Sequence, residues 1–396
     1  MNSTVENDSI VITLGKRIDT NNAPQVEQEI EQILKAHEGL TPAFDAVELE
    51  YISSVGLRIL MKYCKATGKK LQVRNVSKDV FDIFETTGFT NILDVQKKMR
   101  EISVEGCELI GSGGYGKVYR IDPETIAKIY LPQVSLEMVQ KERDVAQKAF
   151  LAGVPTAISY DVVRCGDSYG VVFELLNAKT VAQHMAEDPS RVREMGIRSA
   201  NLLRDLHKIE VKDNLIPNRK EEMLEWVENI KCILEPSEAE ELTAFIRAIP
   251  DSDHFLHGDF NSKNIMVNRD EFLLIDIGDA AVGHPMFDVA GLLLPYVYLL
   301  NSPLPDDEKV RLLGFRLEDA PLMLKTMFAT YFGYDESDEQ QFGMRMQEAN
   351  PYTAMLAAYH GSRRTNFNEE LMRKTTLPLI QGRLLPAVRQ AKPINW

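Results

Sequence analysis

The chain has 396 residues, more than one ordinary core accommodates, so length favours two or more domains. Hydrophobic residues make up 44% and charged residues 26%, the profile of a folded globular protein, which sets aside the disordered and fibrous classes. The net charge of −14 falls mostly on the second part, because residues 1–100 carry 14 acidic against 13 basic side chains. Such a surface argues against nucleic acid, whose phosphates need clustered Lys and Arg, and would suit a cationic substrate.

The longest apolar run, Val289 to Leu300, is shorter than the roughly 20 residues of a membrane helix and contains Pro295, so no membrane span is expected. The N-terminus lacks a basic segment followed by an apolar one, and a cytoplasmic protein is expected. Cys64, Cys107, Cys165 and Cys232 show no CxxC spacing, so they suggest neither a zinc site nor a disulfide framework.

In chain order, SIVITLG reads as a strand, and NAPQVEQEIEQILKAH as a helix with Val26, Ile30, Ile33 and Leu34 at helical spacing. AFDAVELEYI is an apolar strand candidate, SSVGLRILMKYCKATGKK an amphipathic helix, LQVRNV a strand, and KDVFDIFETTG a helix stopped by Gly88. Strands separated by helices predict a small α/β domain with its helices on one side of the sheet.

GKRIDTNNAPQVEQEI and YISSVGLRIL resemble a STAS domain, the fold of anti-sigma factor antagonists, from Ser9 to Leu93. The resemblance implies a protein partner and a reversibly phosphorylated serine at the start of the helix after the central strand, which falls on Ser54. Ser53 stands where the usual pattern has Asp, and Val55 where it has a second Ser. A helix start accommodates a phosphate; the alternative is that Ser53 or Ser54 simply caps the helix. Residues 1–98 are assigned to this STAS-like domain, and the polar stretch 99–106 to a linker without a flexible Gly/Ser or Pro tract.

GSGGYGKV places Gly111, Ser112, Gly113, Gly114, Tyr115, Gly116 and Val118 in a GxGxxG loop. A P-loop would need Ser or Thr at Val118, and a Rossmann turn would open a helix. KVYRIDPETIAKIY, rich in β-branched and aromatic residues around a turn, makes the loop a hairpin tip instead. A glycine-rich hairpin over ATP phosphates is the kinase arrangement. Lys128 then sits mid-strand among apolar neighbours, where a charge needs an anion. Glu142, on the helix SLEMVQKERDVAQKAFLAG, can orient it, with Glu137 as the alternative.

In HFLHGDFNSKNIMVNRDEFLLIDIGDA, NIMV and FLLI form a hairpin. Pairing Val267 with Phe272 brings Asn264 beside Asp276, an amide and a carboxylate able to share magnesium. Asp259 precedes Asn264 by five residues, the kinase catalytic-loop interval. HGDFNSKNIMV, IDIGDA and GHPMFDVA together resemble the aminoglycoside phosphotransferase and choline kinase superfamily, from about Cys107 onward. Only twelve residues follow Asp276 up to Asp288, leaving no room for a peptide-docking activation segment. The resemblance implies an α+β bilobal kinase-like fold, with residues 107–176 as the N-lobe and 177–396 as the C-lobe. It also implies Asp259 as base, Asn264 and Asp276 as metal ligands, Lys128 as phosphate contact and Glu174 to Leu176 as the hinge beside adenine. Asp279 would shape the acceptor side, Asp288 would anchor the catalytic loop, and His207 and His257 read as structural hydrogen-bonding groups. From Pro303 the chain is helix-like, and in the resembling family such helices form the acceptor pocket.

The expected activity is transfer of the ATP γ-phosphoryl group, with Mg2+, to a hydroxyl of a small molecule. The alternative is a regulatory interaction protein whose kinase-like domain senses nucleotide or phosphorylates a protein, Ser54 of its own chain included.

Overall fold

The structure, a computed structural model, describes residues 1–6, 8–211 and 216–394. It divides into two compact units, Met1–Ile102 and Ser103–Trp396. Residue 7 of the expected STAS-like domain, and residues 212–215, 395 and 396 of the expected C-lobe, lie outside the described residues.

The first unit contains β1 (Ser3–Glu6), β2 (Ser9–Thr13), β3 (Arg17–Ile18), α1 (Ala23–Ala36), β4 (Thr41–Asp45) and β5 (Tyr51–Ile52). There follow α2 (Ser54–Thr67), β6 (Gln72–Val76), α3 (Lys78–Thr86), β7 (Asp94–Lys97) and β8 (Arg100–Glu101). Its sheet runs β1-β2-β4-β6-β7, antiparallel at β1/β2 and parallel thereafter. Ile10, Ile12, Phe44 and Val73 share one core with Val26, Ile30, Leu57, Leu60, Val80 and Phe84 of the three helices. Strand residues two apart point to the same face, so the helices cover one side of the sheet, as expected.

Three local readings change. AFDAVELEYI is not one strand: Asp45 Oδ1 accepts from Val47 N at 3.0 Å, a turn that ends β4, and β5 pairs with β3 instead. Residues 94–97, placed within the STAS-like domain but given no element, form the edge strand β7, three of whose four side chains are exposed. β1 was not anticipated; all four of its residues are exposed, so it carries no apolar alternation to recognise.

In the second unit β9 (Glu108–Ser112), β10 (Gly116–Arg120), β11 (Thr125–Tyr130), β12 (Ser159–Cys165) and β13 (Ser168–Glu174) pair antiparallel in the order β12-β13-β11-β10-β9. Helix α4 (Leu136–Leu151) starts at Ser135, whose side chain accepts from Met138 N, and buries Val139 against Tyr130 and Val171. After β14 (Lys179–Thr180) come α5 (Val181–Glu187), α6 (Val192–Leu206), α7 (Arg219–Ile230) and α8 (Pro236–Ala248). The chain from His254 onward supplies β15 (Phe255–Leu256), β16 (Ile265–Asn268), β17 (Glu271–Leu274) and β18 (Ala281–Val282). Helices α9 (Met286–Gly291), α10 (Asp306–Leu313), α11 (Ala320–Phe332), α12 (Glu339–Arg364), α13 (Glu369–Leu379) and α14 (Leu385–Gln390) complete it. Trp226 of α7 is fully buried and donates from Nε1 to Ser362 Oγ of α12 at 3.1 Å, which satisfies its one polar group in the core. The result is the expected α+β bilobal, kinase-like architecture. Among the described residues no helix is long and apolar enough to cross a membrane.

Candidate active site

The glycine loop is the tip of the β9/β10 hairpin. Lys117 pairs with Ser112 and Val118 with Gly111, leaving Gly113 to Tyr115 as the turn, closed by Gly113 N donating to Gly116 O at 2.9 Å. The glycines differ in role. Gly113 and Gly114 face open space, whereas a Cβ on Gly116 would lie 2.2 Å from the Ile129 carbonyl oxygen, so Gly116 is required by strand packing. Ser112 and Tyr115 are exposed.

Lys128 lies mid-strand in β11, opposite Val118 and Val171. Its ammonium reaches Glu142 Oε1 of α4 at 2.7 Å, and Asp276 Oδ1 at 2.6 Å. Glu142, not Glu137, is therefore its partner. The bond to Asp276 was not foreseen. Burial opposes the charge on Lys128, but the two carboxylates outweigh it and raise its pKa above the usual lysine value. Glu174 ends β13 and Leu176 follows in the connection to β14; Leu175 N donates to Glu124 O at 2.7 Å, tying this segment to the β11 entrance.

The β16/β17 hairpin has the anticipated register, with Val267 opposite Phe272 and Ile265 opposite Leu274, and Ile275 N donates to Asn264 O at 3.0 Å. Asn264 and Asp276 thus flank its open end. Asp276 adopts a left-handed conformation, φ 59° and ψ 54°, unusual for a residue with a Cβ and characteristic of functional sites. Asn264 Nδ2 donates to Asp259 O at 2.9 Å and to Oδ2 at 3.0 Å. Asn261 Nδ2 holds the other oxygen, Oδ1, at 3.0 Å. Asp259 opens onto a cleft, yet the enclosing protein, helped by the nearby carboxylates of Asp276 and Asp279, pushes its pKa up to about 6.

Asp288, 2% exposed, accepts from His257 N at 2.7 Å and Gly258 N at 2.8 Å, and from His207 Nε2 at 3.2 Å. The His207 ring meets the Tyr331 hydroxyl through Nδ1 at 2.7 Å, and His257 Nε2 meets Ile275 O at 3.1 Å. Both histidines therefore serve as hydrogen-bonding groups of the loop. Between Asp288 and Asp259, Gly258 has φ +83°, and a Cβ there would sit 2.0 Å from Asp279 O, so only glycine fits.

Arg363 of α12, Arg219 of α7, Asn261 and Lys263 were missed from the sequence. Arg363 Nη1 pairs with Asp279 Oδ1 at 2.7 Å, and Arg219 donates to Asp279 O. Although burial works against ionisation, Arg363 holds the Asp279 carboxyl at about 2. Nothing in the sequence links an arginine 84 positions downstream to Asp279; Asn261, two residues after the candidate base, was visible as a side chain able to bond its own loop.

The donor set fits magnesium. Asn264 spends its amide nitrogen on Asp259 and Asp276 one oxygen on Lys128, so Asn264 Oδ1 and Asp276 Oδ2 remain as oxygen donors. Among the described residues no group of three or more His, Cys, Asp or Glu could hold a metal. The two oxygens left at Asn264 and Asp276 are the kind and number of protein donors used by an ion shared with nucleotide phosphates.

Residues 106–322, more than half of the chain, match the family model described as the phosphotransferase enzyme family. The chain belongs to that family. Residues 2–95 match a second model, described as Mlab, STAS domain. No curated protein matches the chain. Solved structures with a similar fold include a thermostable mutant of aminoglycoside phosphotransferase APH(4)-Ia in ternary complex with AMP-PNP and hygromycin B. It shares 11% identity at a TM-score of 0.47, covering 73% of this chain and 94% of that one. The amicoumacin kinase hAmiN shares 14% at a TM-score of 0.43, covering 75% and 93%. A choline/ethanolamine kinase family protein from Mesorhizobium loti shares 15% at 0.42, covering 72% and 92%. As a member of the phosphotransferase family the protein is an enzyme, and the candidate residues described above lie within the matched segment, Arg363 excepted.

Proposed function

We propose that this phosphotransferase moves the γ-phosphoryl group of ATP to a hydroxyl of a small molecule, with Asp259 as the base. The contacts of Lys128 with Asp276 and of Asn264 with Asp259, brought side by side at the open end of the β16/β17 hairpin, carry this reading. The acceptor oxygen attacks the γ-phosphorus, the new O–P bond forms as the bond to the β-γ bridging oxygen breaks, ADP departs, and the hydroxyl proton passes to Asp259.

Asn261 and Asn264 hold the two Asp259 oxygens, which orients the carboxylate toward the acceptor. Asn264 Oδ1 and Asp276 would hold magnesium, which, when bound, neutralises phosphate charge. Lys128, steadied by Glu142, supplies a fixed positive charge for the α- and β-phosphates. The open backbone at Gly113 and Gly114 covers the phosphates, and Glu174 to Leu176 face the adenine.

The STAS-like unit is read as a regulatory, partner-binding domain. Ser53 is the N-cap of α2, its Oγ accepting from Gly56 N at 3.5 Å, and Ser54 is the exposed first helical residue. This separates the cap from the candidate phosphorylation position, and mass spectrometry after incubation with magnesium-ATP tests Ser54 directly.

The assignment of Asp259 is tested by Asp259→Ala. Turnover should vanish while calorimetry still shows magnesium-dependent ATP binding, and phosphorylation at the wild-type rate on any acceptor would reject the role.

A further inference from the structure

Beside Asp259 lies a cleft of about 230 Å3. The cleft is open to solvent, and its enclosed part is smaller than the ~300–1,000 Å3 of pockets that surround drug-sized ligands. One wall is apolar, from Pro295, Leu312 and Leu313; the other is the catalytic loop from Asp259 to Asn264, Lys263 included.

Although the chain as a whole is acidic, the lining of this cleft carries one charge of each sign. Asp259 is the one carboxylate lining it. The two other acids beside Asp259 are already matched, Asp276 by Lys128 and Asp279 by Arg363. Lys263 is the one cation on the lining, and among the described residues its ammonium has no hydrogen bond or ion pair. It is nevertheless placed. Asn261, which donates to Asp259, also accepts from Lys263 N at 2.9 Å, so base and ammonium belong to one turn. The Lys263 stem lies against Gly314 at the end of α10, which restricts where the charge can go.

An unpaired ammonium held at the edge of a small cleft attracts an anion and repels a polycation. We propose that the acceptor is a small alcohol carrying an oxyanion, carboxylate or phosphate, and that Lys263 is the residue that selects it. This rests on the phosphotransferase reading above. The competing role for Lys263 is to offset the carbonyl end of α10.

The test uses the full-length protein with magnesium-ATP and hydroxyl compounds graded by charge: 4-hydroxybutyrate and glycerol 3-phosphate, 1,4-butanediol and glycerol, choline and kanamycin. Products are identified by mass spectrometry and kinetics follow for those turned over. Preference for an anionic alcohol over its neutral counterpart supports the proposal, and 4-hydroxybutyrate against glycerol 3-phosphate distinguishes carboxylate from phosphate. Lys263→Met should then raise KM for that acceptor roughly ten- to a hundredfold, as expected for loss of a charge-assisted contact. KM for ATP should stay unchanged, and Lys263→Arg should restore selection. Preference for a neutral or cationic compound overturns the proposal. So does a Lys263→Met protein with a lower Tm but an unchanged acceptor KM, since the lysine then serves α10. If no compound is phosphorylated while calorimetry detects magnesium-ATP binding, the acceptor class is wrong but the nucleotide site stands. Absence of ATP binding sinks the phosphotransferase mechanism itself.

Discussion

Asp288→Asn isolates the support of the catalytic loop from its chemistry. The buried carboxylate takes His257 N and Gly258 N on separate oxygens, and His207 shares Oδ2. An amide of the same shape offers one oxygen, so one backbone N–H must face an NH2 group. A buried donor left unsatisfied costs about 1–3 kcal/mol, and losing charge assistance on the surviving bonds adds about 1 kcal/mol. The expected destabilisation is about 2–4 kcal/mol. Residues 1–102 contain no tryptophan and Trp226 is fully buried in the second unit, so its fluorescence in urea follows that unit. With a slope of about 2–3 kcal/mol/M the midpoint should fall by about 1 M. Among the described residues Asp288 is the acceptor for Gly258 N–H, so kcat should fall as well, while KM for ATP changes little because Lys128 and the glycine hairpin are untouched. An Asp288→Asn protein with the wild-type midpoint and kcat would refute the view that this carboxylate holds the loop.

Two further substitutions test charges around the site. Lys128→Met keeps most of the stem but removes the cation between Glu142 and Asp276; kcat/KM for ATP should fall by about 100-fold or more, measured by steady-state kinetics. Arg363→Met removes the partner that holds Asp279 at about 2. A depressed carboxyl pKa stabilises the fold above the unfolded value near 4, and that gain is lost as pH falls toward 2. In urea titrations wild type should therefore exceed Arg363→Met by the largest margin at pH 8; because burial raises the Asp279 carboxyl once its partner is gone, the margin narrows as pH falls through that raised value and closes toward pH 2. No margin at any pH would refute the pairing.

The parts of the site that could be read from sequence are those close together in the chain. Asp259 and Asn264 share one loop, and Asn264 and Asp276 are joined by a hairpin whose register follows from two apolar runs around a polar turn. Lys128 stood out because a lysine between apolar strand residues demands an anion. Arg363 did not, because it lies on a 26-residue helix whose mixed surface gives no sign of which neighbour it meets. The same limit applied to Asp45, where a side chain bonding its own backbone broke an apolar run that periodicity alone would extend.

Lys128 links the resting arrangement to the proposed reaction. It bridges Glu142 and Asp276, so its enclosed charge is matched. Asp276 is half exposed, with one carboxylate oxygen uncommitted, and Lys128 is the more enclosed of the two. In the proposed reaction Lys128 would face phosphate and Asp276 would hold the metal ion. Each charge then exchanges one opposite charge for another, and none has to be desolvated alone. That exchange asks only for a shift of the exposed member of the pair, while Glu142, packed against Gly278, keeps Lys128 in place.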